Sequence, residues 1–431
     1  MNLSKGYVAI KCQDGEKIRE DRLRENAEVQ AVSDPHDSKH IVVAWVGGQS
    51  IVVSTSLTGG KSWSRAQPLR LNACLNPNLL DYKAGADPGV GFGPGRTVYV
   101  SGLVGHRSID RQAVIVDTSR DGGLTWDDPV VLHSEPNGNP EFDNTSLVVD
   151  PENPGFAYVA TEFITDDSTS GIGFSKTTDY GRTWSDIRPI TPLVKGRRFS
   201  PVLALVPGTR ALYGFAYVRE PGRTWIAFIY SDDHGSTWSE PREVTYVVPP
   251  RGETKLGASG IPFESAQDIL HVAVAPKSGV LHIVFADARS TDGNRLAISM
   301  VSSSDGGKTW KGPVQVSSPS EGHAFQPALA VKSSGEVGVL YYDTRSKFPE
   351  LPGKTLPISI WLRVFHSGGS TKEVLLDQFN YVGLGRRSLL DYQSLLVSGD
   401  KFHGVYTKSD LRPDQTATSE AEGKITDIYF H

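Results

Sequence analysis

Short runs in which apolar residues dominate or alternate with polar ones recur along this chain, each bounded by Gly, Pro, Asn, Asp or Ser. Seven of them share one pattern, at residues 28–32, 87–92, 145–149, 200–205, 268–274, 326–331 and 392–397. Each is followed by a second run rich in Val, Tyr, Phe and Ala, at 40–45, 98–103, 156–161, 212–218, 281–286, 337–342 and 402–406. Runs of this length and composition predict β-strands.

A short phrase closing on tryptophan punctuates the strands five times: Ser56-x-Thr58-x-Gly60-x-Ser62-Trp63, Ser119-x-Asp121-x-Gly123-x-Thr125-Trp126, Thr177-x-Asp179-x-Gly181-x-Thr183-Trp184, Ser231-x-Asp233-x-Gly235-x-Thr237-Trp238 and Ser303-x-Asp305-x-Gly307-x-Thr309-Trp310. A worn sixth copy is read at Ser367-x-Gly369-x-Thr371. The tryptophans stand 54 to 72 residues apart, a period that fits one small antiparallel sheet per repeat. The phrase suits a hairpin turn, because Asp and Ser/Thr oxygens accept backbone N–H groups and Gly supplies a positive φ. Its Trp then buries a large ring between neighbouring sheets.

Seven units predict an all-β, seven-bladed β-propeller with these boxes at the turns between third and outer strands. Six blades are the alternative, since the last two units are the least regular. The last unit stops where its outer strand should begin, so residues 1–27 form an N-terminal segment whose stretch 6–12 is expected to close the ring and remove two exposed edges. Residues 1–431 then make a single domain.

Composition narrows the class. Lys+Arg 44 against Asp+Glu 49 leaves a net charge of −5, which argues against a nucleic-acid partner. No apolar stretch is long enough for a membrane span, and residues 1–14 lack the apolar core of a signal peptide. Two cysteines, Cys12 and Cys74, are too few for a disulfide scaffold or a metal site; whether they pair is open at this level. The sequons at Asn2 and Asn144 fit secretion. A secreted monomer is the expectation.

With the boxes on one face, chemistry is expected on the other, in the loops between second and third strands and at the starts of the first strands. Arg107, Arg219, Arg289 and Arg345 lie in such loops, and guanidinium forks bind carboxylates in bidentate fashion. They suit an acidic sugar, unless Glu220, Asp287 and Asp343 neutralise them. His106 is the histidine of these loops, placed for proton transfer; Tyr342 and Tyr392 are tyrosine candidates, and Asp87 opens a first strand.

The boxed phrase resembles the Asp box of the sialidase superfamily, and the resemblance covers almost the whole chain. Sialidases clamp the substrate carboxylate with three arginines and use a Tyr–Glu nucleophile with an Asp acid/base. The segment Asp391-Tyr-Gln-Ser-Leu395 resembles the nucleophile region, which would make Tyr392 its counterpart. The Arg-Ile-Pro motif of the first clamp is missing. In blade count and residue inventory the chain looks closer to seven-bladed uronate lyases, such as those acting on rhamnosyl-glucuronate. That likeness implies β-elimination at a glucuronate in an acidic oligo- or polysaccharide, with His106, Tyr342 and Arg219 catalytic and Arg107, Arg289, Arg345, Tyr392 and Asp87 binding substrate. No cofactor is required, and a structural calcium ion is left open. An exo-acting hydrolase of sialidase type and a non-catalytic lectin are the alternatives.

Overall fold

The computed structural model describes all residues except 6, 8–25, 49, 71–83, 107–110, 135–138, 252–254, 257–260, 263–268, 319–321, 346–354, 383–391 and 410–425. The protein is a seven-bladed β-propeller, almost wholly β, with 3₁₀ turns at Pro94–Arg96 and Arg289–Thr291. Every blade is an antiparallel sheet in chain order, from a first strand outward. The first strands are Asn26–Ser33, Ala84–Phe92, Glu141–Val149, Arg198–Leu205, Leu270–Val274, Ala324–Val331 and Ser394–Ser398. All seven predicted first strands are present, so the six-bladed alternative is set aside.

Two compact units partition the described residues: one holds residues 7 and 28–244, the other 1–5, 26–27 and 245–431. In the first, apolar side chains join successive blades. Ala44 and Val53 of blade 1 meet Val100 and Ile115 of blade 2, whereas Tyr99 and Val116 of blade 2 meet Leu147 and Val159 of blade 3. Tyr158 and Phe174 of blade 3 meet Leu203 and Ile229 of blade 4. Consecutive residues of one strand thus serve opposite neighbours, as the two-residue strand period requires. Both faces are buried, which is why the second strands read as unbroken apolar runs. In the other unit, Val284, Phe325, Tyr341 and Tyr406 belong to one core that joins blades 5, 6 and 7. Each such side chain contributes roughly 1.5–3 kcal/mol on burial.

The boxes sit between third and outer strands. In the second, Ser119 Oγ donates to Asp121 Oδ1 (2.9 Å) and accepts from Gly123 N–H (2.7 Å), while Asp121 accepts from the Thr125 amide and hydroxyl at 2.9 and 2.6 Å. The same bonds recur around Asp179, Asp233 and Asp305. The box tryptophans are half-buried, and two of them meet a ring of the preceding blade edge-on: Trp184 on Tyr99 and Trp238 on Phe174. The worn sixth copy forms a plain hairpin turn, closed by bonds between His366 and Ser370 and between Gly369 and His366. It lacks the Asp, so no carboxylate organises it.

Residues 1–4 run beside the last strand, Thr426–Phe430. Asn2 pairs with Tyr429, Leu3 N–H donates to Ile428 C=O at 2.8 Å, and Ser4 Oγ donates to Asp427 Oδ1 at 2.6 Å. The stretch expected to pair here, 6–12, lies outside the described residues apart from Tyr7, as do Cys12 and Cys74.

Candidate functional site

Strained backbone recurs in four first strands, each time at the third or fourth residue of the strand: at Glu28 (54°), Asp87 (48°) and Asn144 (54°) in one unit and at Gln326 (46°) in the other. All lie toward the end opposite the boxes. At the last three the pairing with the second strand shifts register, between Ala86 and Gly89, opposite Ala160 and Glu162, and between Phe325 and Ala328. Such bulges re-aim side chains, and a residue in this region costs about 1–3 kcal/mol and persists only where its surroundings over-determine it.

Asp87 is strained on a second count. It precedes Pro88, and a residue before proline favours extended backbone. Its neighbours hold it from both sides: its N–H donates to Glu28 Oε2 of blade 1 at 2.7 Å, and its C=O accepts the Thr145 hydroxyl of blade 3 in a short hydrogen bond. Thr145 Oγ1 also lies 3.4 Å from Ser101 Oγ. Blades 2 and 3 approach closely here, because a Cβ on Gly89 would stand 2.8 Å from Leu147 Cβ and 2.6 Å from Ser101 Oγ. Half-buried Asp87 is thus a carboxylate on a fixed backbone.

Gln326 repeats the device in the other unit. It precedes Pro327, and its C=O accepts Gln393 Nε2 from blade 7 in a short bond. Gln326 and Gln393 are both buried and uncharged.

Two of the predicted arginines are engaged within the fold. At the ends of the second strands of blades 5 and 6, Asp287 and Asp343 are fully buried and each holds the arginine two residues on. Asp287 Oδ1 accepts the Arg289 amide at 3.1 Å, and Asp343 Oδ1 accepts the Arg345 amide at 2.6 Å. Arg289 lies over Tyr246 at 4.6 Å, and Arg345 over Trp361 at 3.9 Å while bonding Glu373 at 2.9 Å. Burial pushes the Asp343 carboxyl up to about 6 against the opposing pull of Arg345. At Glu373 burial acts upward too, but bonds from Tyr341 and Ser318 and the Arg345 charge outweigh it and hold the carboxyl below its ordinary value. These guanidinium groups serve the aspartates beside them, the neutralisation the sequence left open.

Tyr342 is enclosed: its hydroxyl donates to Thr407 C=O at 2.8 Å, and the ring stacks on Phe325. Burial raises its phenol strongly, so it is a packing residue with a satisfied hydroxyl. Arg219 is the next-to-last residue of the second strand of blade 4, exposed and opposite Thr224; Tyr392 is half-buried just before the first strand of blade 7. His106 ends the second strand of blade 2 in register with Arg111, at the same end of that blade as Asp87, while its ring and the whole of Arg107 lie outside the described residues. Glu28 and Thr145, which hold the Asp87 backbone from two sides, were not among the residues singled out from the sequence.

No protein-family model matches the chain. The xyloglucanase Xgh74A of Acetivibrio thermocellus is 27% identical over 251 residues, 52% of this chain and 26% of that protein, so the match spans about a quarter of the relative. Among solved structures, Penicillium chrysogenum α-L-arabinanase complexed with arabinobiose superposes with a TM-score of 0.51 at 15% identity, covering 78% of this chain and 92% of that one. The phage phi92 endosialidase gives 0.51 at 11% identity, covering 94% and 68%. These likenesses establish the fold, a β-propeller. Among the described residues no helix is long and apolar enough to cross a membrane, and no group of three or more His, Cys, Asp or Glu is arranged to hold a metal ion.

Proposed function

We propose that this protein is a carbohydrate-active enzyme that hydrolyses a glycosidic bond in a neutral glycan, with Asp87 as one of its two catalytic carboxyl groups. The observation that carries this reading is the strained, doubly held backbone of Asp87. Glycoside hydrolysis needs one carboxyl to protonate the leaving oxygen and a second to attack or to activate water, and such groups work only when held in place. The partial match to a xyloglucanase supports the same class. Neutral sugar is favoured over uronate because Arg289 and Arg345 are committed to buried aspartates. An anionic sugar bound through these two arginines would have to displace those partners.

β-Elimination is the second reading, favoured by the placement of His106 at the same end of blade 2 as Asp87. One experiment separates the two. The protein and its Asp87→Asn variant are incubated with xyloglucan, arabinan, sialylated glycans and glucuronate-containing glycans, and reducing ends and ultraviolet absorbance are followed together. Hydrolysis predicts new reducing ends from a neutral glycan and no unsaturated chromophore, with roughly 10²–10⁴-fold less activity in Asp87→Asn. Asn tolerates positive φ, so the variant changes charge and leaves the backbone in place. An absorbing unsaturated uronate assigns a lyase instead, and binding without product assigns a lectin.

A further inference from the structure

We propose that Thr145 is a positioning residue for Asp87, acting with Glu28 from the other side; this deepens the hydrolase reading and rests on it. Asp87 has an unfavourable φ and precedes Pro88, so a relaxed backbone would swing its carboxyl away. The two groups that pin that backbone come from different blades: Glu28 takes the amide hydrogen and Thr145 supplies a proton to the carbonyl. Each pinning residue sits at or beside a strained residue of its own first strand, Glu28 itself at 54° and Asn144 at 54°. The first strands of blades 1, 2 and 3 are thereby cross-linked through Asp87. At Gln326 the same pre-proline geometry and carbonyl clamp occur around a buried neutral amide. The device therefore holds a backbone wherever it occurs; at Asp87, half-buried rather than enclosed, what it holds is an ionisable group.

Thr145→Val removes the hydroxyl while keeping the shape, and Thr145→Ser restores it. Kinetics are measured on xyloglucan, or on arabinan if that is the glycan hydrolysed, with melting followed in parallel. The expected result is a kcat roughly 10–100-fold lower in Thr145→Val with KM little changed, a displaced pH profile, and recovery to near the parent rate in Thr145→Ser. Glu28→Gln, which keeps an acceptor for the Asp87 amide, should retain far more kcat than Glu28→Leu. This pair reads the other clamp if Thr145→Val does not fold. A Thr145→Val protein that melts lower yet keeps its kcat and pH profile, or a Ser variant that restores nothing, overturns the positioning role. Full activity in Asp87→Asn sinks the hydrolase reading itself, whatever Thr145 does.

Discussion

At the scale of single residues, burial decides which candidates are free to act. Tyr341 and Tyr342 are neighbours on one strand, both enclosed, and face opposite sides. The Tyr342 hydroxyl both donates to Thr407 C=O and accepts from Thr407 N–H at 3.2 Å. Tyr342→Phe is therefore expected to cost about 1–3 kcal/mol of stability and to leave kcat within about twofold of the parent, the small change expected of a residue that makes no transition-state contact. Thermal melting and steady-state kinetics check the two halves, and a large loss of kcat at unchanged stability would restore Tyr342 to the chemistry. The Asp-x-Arg pairs were legible as a choice between ligand fork and internal ion pair, since Asp287 and Asp343 stand two residues before their arginines. Resolving that choice needs the third dimension, because only burial of the aspartate tells which partner the guanidinium keeps.

Elements were legible where their chemistry is local. A box writes its turn into eight consecutive residues, and the first and second strands advertise themselves through apolar runs that pack on both faces. The outer strands, such as Gln67–Pro68 and Arg188–Pro189, are too short and too exposed to leave a periodic signal. The bulges escaped for another reason: at Asp87 and Gln326 the positive φ is held by hydrogen bonds from neighbouring blades, which no local pattern records. Close approach of those blades gives a testable consequence. Gly89→Ala would drive a methyl into Ser101 and Leu147, and overpacking of this kind costs about 1–3 kcal/mol. Gly368→Ala is the control, since a Cβ there meets nothing within 4 Å and its φ is not positive. A lower midpoint in denaturant for Gly89→Ala alone is expected; equal midpoints would show that the strands separate freely at the bulge.

Across the whole molecule, carboxyl groups of two kinds act on stability in opposite directions. In the boxes, bonds from the Thr237 amide and hydroxyl and from Ser231 hold Asp233 far below the ordinary carboxylate value, and bonds from Thr309 and Ser303 do the same for Asp305. These groups bind fewer protons folded than unfolded, so the stability they contribute is present above about pH 4 and lost as acid protonates them. Asp117 has the other sign. It is fully buried in the third strand of blade 2, Oδ1 accepts the Thr118 amide at 2.8 Å, and Oδ2 has no hydrogen-bond partner. Burial, with Asp127 and Asp128 nearby, pushes its carboxyl from 3.8 up to about 8. Between those values the folded chain keeps a proton that the unfolded chain releases, so stability falls as pH rises through that window and levels off above it. Asp117→Asn replaces the carboxyl by a neutral group of the same shape and should abolish that decline. The variant is expected to gain on the parent progressively from pH 4 to 8, by on the order of 5 kcal/mol at the upper end, and to hold a constant lead beyond. Melting temperatures of both proteins at pH 5 and pH 9 test this. The same gap at both values would mean that Asp117 is already ionised in the fold at pH 5, and that the blade tolerates an unpaired charge at its centre.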